Sequence, residues 1–205
     1  MKFFIDLFAG LCGASSGFFD RPGWTVIAID NNPELLELAP HVLMCDISNT
    51  TATIALIERE LEQYGFNPNV DELVIWASPP CMEFSFGFNA PGPTAQRAGE
   101  DFQPDLSLMM AADEIIQHFC PKWWFVENVR GAITHFTPHL GQFRQQLGSF
   151  FLWGRFPYIH HPRMTINKTD HDRRWHPLRA NFRAQVPTVF SSAIRESLDK
   201  QKTLF

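Results

Sequence analysis

A chain of 205 residues that is 45% hydrophobic and 19% charged can bury the core of one ordinary domain, which argues against intrinsic disorder. Its formal net charge of −5 argues against a uniformly basic nucleic-acid binder, so any affinity for a polyanion has to be local. Four cysteines, at 12, 45, 81 and 120, make no C-x-x-C pair and no zinc spacing; they point to a reducing compartment rather than a disulfide framework.

The opening "MKFFIDLFAGLCGASS" imitates a secretory leader, but Asp6 breaks its apolar stretch and cleavage would remove a strand and a glycine loop. It reads instead as mature structure of a cytoplasmic, non-secreted protein, prokaryotic or virally encoded in a host cell. "KFFIDLF" predicts a first strand, "AGLCGASSG" a turn, and "ASSGFFD" the opening of a helix. "WTVIAID" is a second strand, and "NPELLELA" a helix with proline at its first position. "HVLMCDI" is a third strand, and "TATIALIERELEQYG" a helix closing on Gly65. "DELVIWA", the helix "PDLSLMMAADEIIQHF" and the aromatic strand "PKWWFVEN" complete the series. Regular alternation of this kind predicts an α/β fold with a doubly wound, mostly parallel, Rossmann-like sheet. No stretch approaches the roughly 18 apolar residues of a membrane helix.

The stretch from Met82 to Pro104 shows no periodicity and predicts a lid or binding loop. After Gly148, "SFFLWGRFPYIHHPRMTI" suggests two short strands around a turn, and "VPTVFSSAIRESLDK" a terminal helix. Between them, residues 160–183 hold six cations (Arg163, Lys168, Arg173, Arg174, Arg179, Arg183) against Asp170 and Asp172. That segment carries +4 and leaves −9 for the rest, so it is either a solvated loop or a phosphate-facing patch. Its histidines have no cysteine among them and fit no closed tetrahedral zinc site. The chain thus divides at 1–148, 149–186 and 187–205.

Chemistry gathers at the predicted strand ends. In "SPPCMEFS" two prolines stop the strand and hold Cys81 on a stiff elbow, where a ligand binds in an open α/β sheet. The alternative for Cys81 is a small buried hydrophobe. Gly10, Gly13 and Gly17 follow the first strand without matching G-x-G-x-x-G, and no P-loop lysine is present. Asp30 ends strand two, where an acid can accept from ribose hydroxyls, and Asp46 ends strand three, where it can accept from an adenine amino group. Glu127, after "WWFV", is placed to be partly desolvated and to hold a proton near neutrality; its other reading is a helix cap.

Together these motifs resemble the family of DNA cytosine-5 methyltransferases. "DLFAGLCGASSGF" resembles the family's first motif, Asp30 and Asp46 its second and third, "SPPCMEFS" its Pro-Cys motif and "FVENVRG" its Glu-Asn-Val motif, in order over residues 3–131. The resemblance implies a Rossmann-like S-adenosylmethionine-dependent fold, with 1–148 catalytic and donor-binding, 149–186 a reduced DNA-contacting region and 187–205 a helix packed back on the catalytic part. It implies that Cys81 attacks carbon 6 of a flipped-out cytosine while Glu127 holds ring nitrogen 3, and that carbon 5 then takes the methyl of S-adenosylmethionine. Phe8, Ala9, Gly10, Asp30 with Asn31, and Asp46 with Ile47 would hold that donor, without a metal. Ser85 and the loop after it would close over the base, and Asn128 would shape the turn beside Glu127.

The chain departs from the family pattern in several places. Met82 replaces a common glutamine, Glu83 a small residue and Cys12 a glycine. The Gln-x-Arg-x-Arg motif is not present as such; Arg155 and Arg163 are the two candidates for its base-contacting arginine. Little chain is left for sequence recognition, which implies short or relaxed specificity in DNA, or a separate specificity subunit. The same chemistry on RNA or a free nucleotide, and a non-catalytic DNA-binding relative, are the competing readings.

Overall fold

The structure, a computed structural model, describes residues 1–161 and 175–201. Five parallel strands form the body of one sheet: β1 (Lys2–Leu7), β2 (Trp24–Asp30), β3 (Leu43–Met44), β4 (Glu72–Ala77) and β5 (Trp123–Asn128). An antiparallel hairpin, β6 (Gln145–Leu147) and β7 (Phe150–Arg155), continues it beyond β5. The order is β3-β2-β1-β4-β5-β7-β6. Progress across the sheet therefore reverses between β1 and β4, the position at whose carboxyl edge ligands bind in open α/β sheets. The expected doubly wound sheet is present, with mixed sense at one side.

Both faces are covered, which is why the strands read as unbroken apolar runs. Phe3, Ile5 and Leu7 alternate onto one face with Ile27, Ile29 and Ile75, under Ile57 and Leu61 of α1 (Thr50–Gln63) and Met109 and Ile116 of α3 (Ser107–Phe119). Phe4, Val74, Trp76 and Phe125 alternate onto the other, against Phe190, Ile194 and Leu198 of α6 (Thr188–Asp199). Helix α1 starts where the Asn49 side chain accepts from the Ala52 N–H at 3.1 Å, and it buries Thr53, Ile57, Glu60 and Leu61 at helical spacing.

Several expectations need correction. "ASSGFFD" opens no helix; residues 10–20 run through consecutive turns. Gly13 and Gly17 lie so close to the chain around α6 that an added Cβ would sit 2.6 Å from the Val186 and Ser192 nitrogens, and Cys12 takes a left-handed φ of 55°. "NPELLELA" gives only a 3-10 turn over Pro33–Glu37, and the third strand shrinks to two residues. The stretch after Met82 is not structureless, since a 3-10 turn (Met82–Phe84) and α2 (Pro91–Ala98) occupy it. The late hairpin turns at Gly148, so the partner of β7 precedes that glycine, and β7 pairs with β5 in the main sheet. Helix α5 (Arg179–Ala184) was not expected; α4 (Ile133–Leu140) lies where the helix-cap reading of Glu127 put a helix, but its cap residue is Ala132. No helix among the described residues is long and apolar enough to cross a membrane.

Candidate active site

Because β1 to β5 are parallel, their carboxyl ends share one edge of the sheet, and with strands about 5 Å apart the tips of β2, β1, β4 and β5 span roughly 15 Å. On that edge lie Asp30 at the end of β2, the turn Phe8 to Gly10 after β1, Cys81 four residues beyond β4, and Glu127 next to last in β5. Four separate stretches of sequence thus meet at the switch point.

The Cys81 elbow is fixed from three directions. Ser78 N–H donates to the Leu7 carbonyl at 3.1 Å, which carries the sheet one residue past β4 before Pro79 and Pro80 end it. Cys81, partly exposed, caps the Met82–Phe84 turn, and its carbonyl accepts from Phe84 N–H at 3.1 Å. The Phe84 ring then packs edge-on to Phe136 of α4, with centroids 5.0 Å apart.

The end of β5 is locked to this elbow. Glu127 is 8% exposed and Asn128 1% exposed. The Asn128 amide donates to the Pro79 carbonyl at 2.9 Å in a buried bond, while its oxygen accepts from Val129 N–H at 2.9 Å. Gly131 lies against the Phe84 carbonyl so closely that a Cβ there would sit 1.9 Å from that oxygen. The chain after Cys81 and the chain after Glu127 therefore form one unit, and Asn128 is the tie between them.

At the other end of the edge, Asp30 accepts from Gly10 N–H at 2.9 Å and from Asn32 N–H at 3.0 Å. Phe8 and Gly10 both take left-handed φ values, 61° and 52°, which fold the turn back over β1. Asn31 is exposed beside Asp30. Asp46 is exposed and accepts from the Ser48 N–H and hydroxyl at 3.0 and 2.8 Å, whereas the Ile47 side chain belongs to the core. Ser85 lies past the elbow, its hydroxyl oxygen accepting from Gly87 N–H at 3.1 Å.

Three residues near the turn escaped the sequence reading as site residues. Asp6, on β1, is 1% exposed; one oxygen accepts from the Ser15 hydroxyl at 2.6 Å and the other has no hydrogen-bond partner among the described residues. Burial, reinforced by the nearby Asp30, pushes its carboxyl up to about 7 against the Ser15 hydrogen bond. The signal was an acid inside an apolar strand, noted only as a break in a leader-like run. Asn181 brings its amide nitrogen 3.3 Å from where a Cβ on Gly10 would be, and Gln185 donates to the Leu11 carbonyl at 3.3 Å. Nothing in their local sequence marks them.

The structure does not bring Arg155 to this edge. It pairs with Trp124 near the start of β5, and its guanidinium donates to the Pro121 carbonyl at the opposite edge of the sheet. Arg163 lies outside the described residues.

The fold and the edge define a doubly wound α/β protein with a built site at its switch point. Residues 2–150 match the sequence model of the C-5 cytosine-specific DNA methylases, and the chain belongs to that family. A probable DNA (cytosine-5)-methyltransferase of Frog virus 3 (isolate Goorha) is 30% identical over 129 residues, 60% of this chain and 52% of that protein, so the chain spans about half the length of that relative. A solved methyltransferase of Entamoeba histolytica aligns with a TM-score of 0.49 and 13% identity, over 84% of this chain and 64% of that one.

Proposed function

We propose that the protein methylates carbon 5 of cytosine in DNA through a transient bond between Cys81 and a flipped-out base. The observation that carries this reading is the buried Asn128 to Pro79 bond, which makes the Pro-Pro-Cys elbow and the Glu127 strand end a single unit on the edge beside the glycine turn. A nucleophile and a proton-holding acid on adjacent strands can then grip one ring from two sides.

In this reading the Cys81 thiolate adds to carbon 6, and Glu127 donates a hydrogen bond and then a proton to nitrogen 3, so that carbon 5 becomes nucleophilic. Asn128 positions both groups, and Ser85 closes over the base. Release of the carbon-5 proton, departure of the thiolate and return of the nitrogen-3 proton to Glu127 restore the aromatic ring. S-adenosylmethionine, when bound, supplies the electrophilic methyl group. The residues present fit that donor: the Phe8 to Gly10 turn exposes backbone at the edge, and two N–H groups pin the Asp30 carboxylate while leaving lone pairs for ribose hydroxyls. Asp6, with a buried oxygen lacking a hydrogen-bond partner among the described residues, supplies an acceptor for a cationic group. Residues 1–148 hold this machinery, the basic segment within 149–186 meets DNA, and the terminal helix supports the sheet.

The test is covalent trapping on 5-fluorocytosine. Wild-type protein with donor should form a stable complex with DNA containing 5-fluorocytosine, and Cys81→Ala should form none and, on ordinary cytosine, lose methyl transfer by about 10³-fold or more. Glu127→Gln should lower transfer by ~10²-fold or more with donor affinity retained. Running the trap on duplex DNA, single-stranded DNA and RNA identifies the substrate; methyl transfer by Cys81→Ala would exclude the covalent route.

A further inference from the structure

A groove of about 710 Å³ opens beside the reactive unit, between the chain just past Cys81, the chain just past Glu127 and the β6–β7 hairpin. Phe86, Phe143 and Phe151 supply rings to its lining, Arg130 a cation, and Gln146 and Ser149 polar groups. Among the described residues no carboxylate contributes to that lining, in a chain whose net charge is −5. The groove begins at Ser85, four residues beyond Cys81, and at Val129, two beyond Glu127.

Its aromatic rim continues onto the surface. Phe86 and Phe88 are each 74% exposed, an unusual state for two phenylalanines in one short loop. The Arg97 guanidinium lies 3.9 Å from the Phe88 ring centroid and donates to the Phe88 carbonyl at 2.6 Å, so this ring is held in place and paired with a cation. Exposed rings alternating with guanidinium groups, next to a groove without acids, form the kind of surface on which unpaired bases stack while phosphates are neutralised.

We infer that the groove takes the nucleotide adjoining the target cytosine on the same strand, with its base on Phe86 and its phosphate on Arg130, so that the preferred substrate is a single or locally opened strand. Stacking uses the π-face that every base has, and a backbone cation reads no sequence. The groove therefore supplies affinity without specificity. The inference deepens the methyl-transfer reading and rests on it only for what occupies Cys81.

The experiment measures binding of a fluorescent, cytosine-free single-stranded oligonucleotide, and of its duplex, by anisotropy across a salt series, using the full chain. Arg130→Ala should weaken single-strand binding about tenfold and lower the slope of log affinity against log salt by about 0.7, with Arg130→Lys restoring the slope. Phe86→Ala should weaken binding about tenfold with the slope unchanged, and Phe86→Tyr should retain it. Both alanine variants should bind the methyl donor as the wild type does. Wild-type affinity in both variants, or tighter binding of the duplex than of the single strand, overturns the inference. Because this oligonucleotide has no cytosine, the groove stands if 5-fluorocytosine trapping fails while the variants show these losses. It falls alone if trapping succeeds and the variants bind normally.

Discussion

Two thiols close to the strand tips differ in chemistry because they differ in burial. Burial pushes the Cys12 thiol up to about 12, with Asp6 adding to the effect, so it stays protonated at neutral pH and is no rival to the partly exposed Cys81. The same burial acts on Asp6, whose carboxyl is held at about 7 against an ordinary 3.8. Below about pH 4 it is protonated folded or unfolded; as pH rises toward 7 the unfolded chain loses the proton first, so stability declines and the full cost is present above 7. That cost is on the order of 4 kcal/mol, and Asp6→Asn should flatten the decline between about pH 4 and 7 in urea unfolding. Parallel pH curves for the two proteins would show that Asp6 is not the cause. Asn128 is the other single residue on which much depends. Asn128→Ala removes both bonds of a buried amide and leaves the Pro79 carbonyl without its donor, so it should cost about 1–3 kcal/mol in denaturant unfolding and slow 5-fluorocytosine trapping. The sequence reading had Asn128 as a turn-shaping residue but not its partner, 49 positions earlier in the chain.

Among elements, the strands were legible and the connections were not. Strands buried on both faces leave continuous apolar runs, as in "FFIDLF" and "LVIWA", whatever they pack against. The connections depend on contacts that no local window contains. "ASSGFFD" fails to become a helix because Gly13 and Gly17 are pressed against residues 186–192, about 170 positions away. The hairpin was misplaced because "RQQL" carries no alternating pattern, yet it pairs with β7 and its Gln145 exchanges two hydrogen bonds with the backbone of Ile159, at 2.6 and 2.9 Å. The placement of Asp30, Cys81 and Glu127 near strand tips was legible because a tip position follows from where an apolar run stops; the placement of Arg155 was not, because only strand sense reveals which edge a residue reaches. The contact between the Met82–Phe84 turn and the chain after β5 gives a sharp comparison. Gly131→Ala should destabilise the protein by several kcal/mol, measured by thermal unfolding, and reduce trapping, because its Cβ has nowhere to go. Gly65→Ala, with φ at 72° and no atom within 4 Å of the added carbon, should cost only about 1 kcal/mol and leave trapping intact.

For the whole molecule, the two ends of the described chain are joined. Lys2 and the Trp24 indole both donate to Asp199, at 2.8 and 3.1 Å, and Arg195 reaches the Gly17 carbonyl at 2.9 Å. Underneath, Phe190, Ile194 and Leu198 are fully buried against Phe4, Phe18 and Trp76. Removing residues 187–205 would uncover Phe4, Phe18 and Trp76 on that face of the sheet, and the truncated protein should lose cooperative unfolding and donor binding together, read by calorimetry. Fold class and the shared edge could be anticipated from alternation alone. The support that the last helix gives to the first turn could not, because it joins opposite ends of the sequence.

That long-distance support has a consequence for biosynthesis. The loop carrying Gly13 and Gly17 leaves the ribosome about 170 residues ahead of the wall it leans on. Until residues 186–192 have been synthesised the turn after β1 has no wall behind it, so that turn reaches its folded form well after the strand it follows.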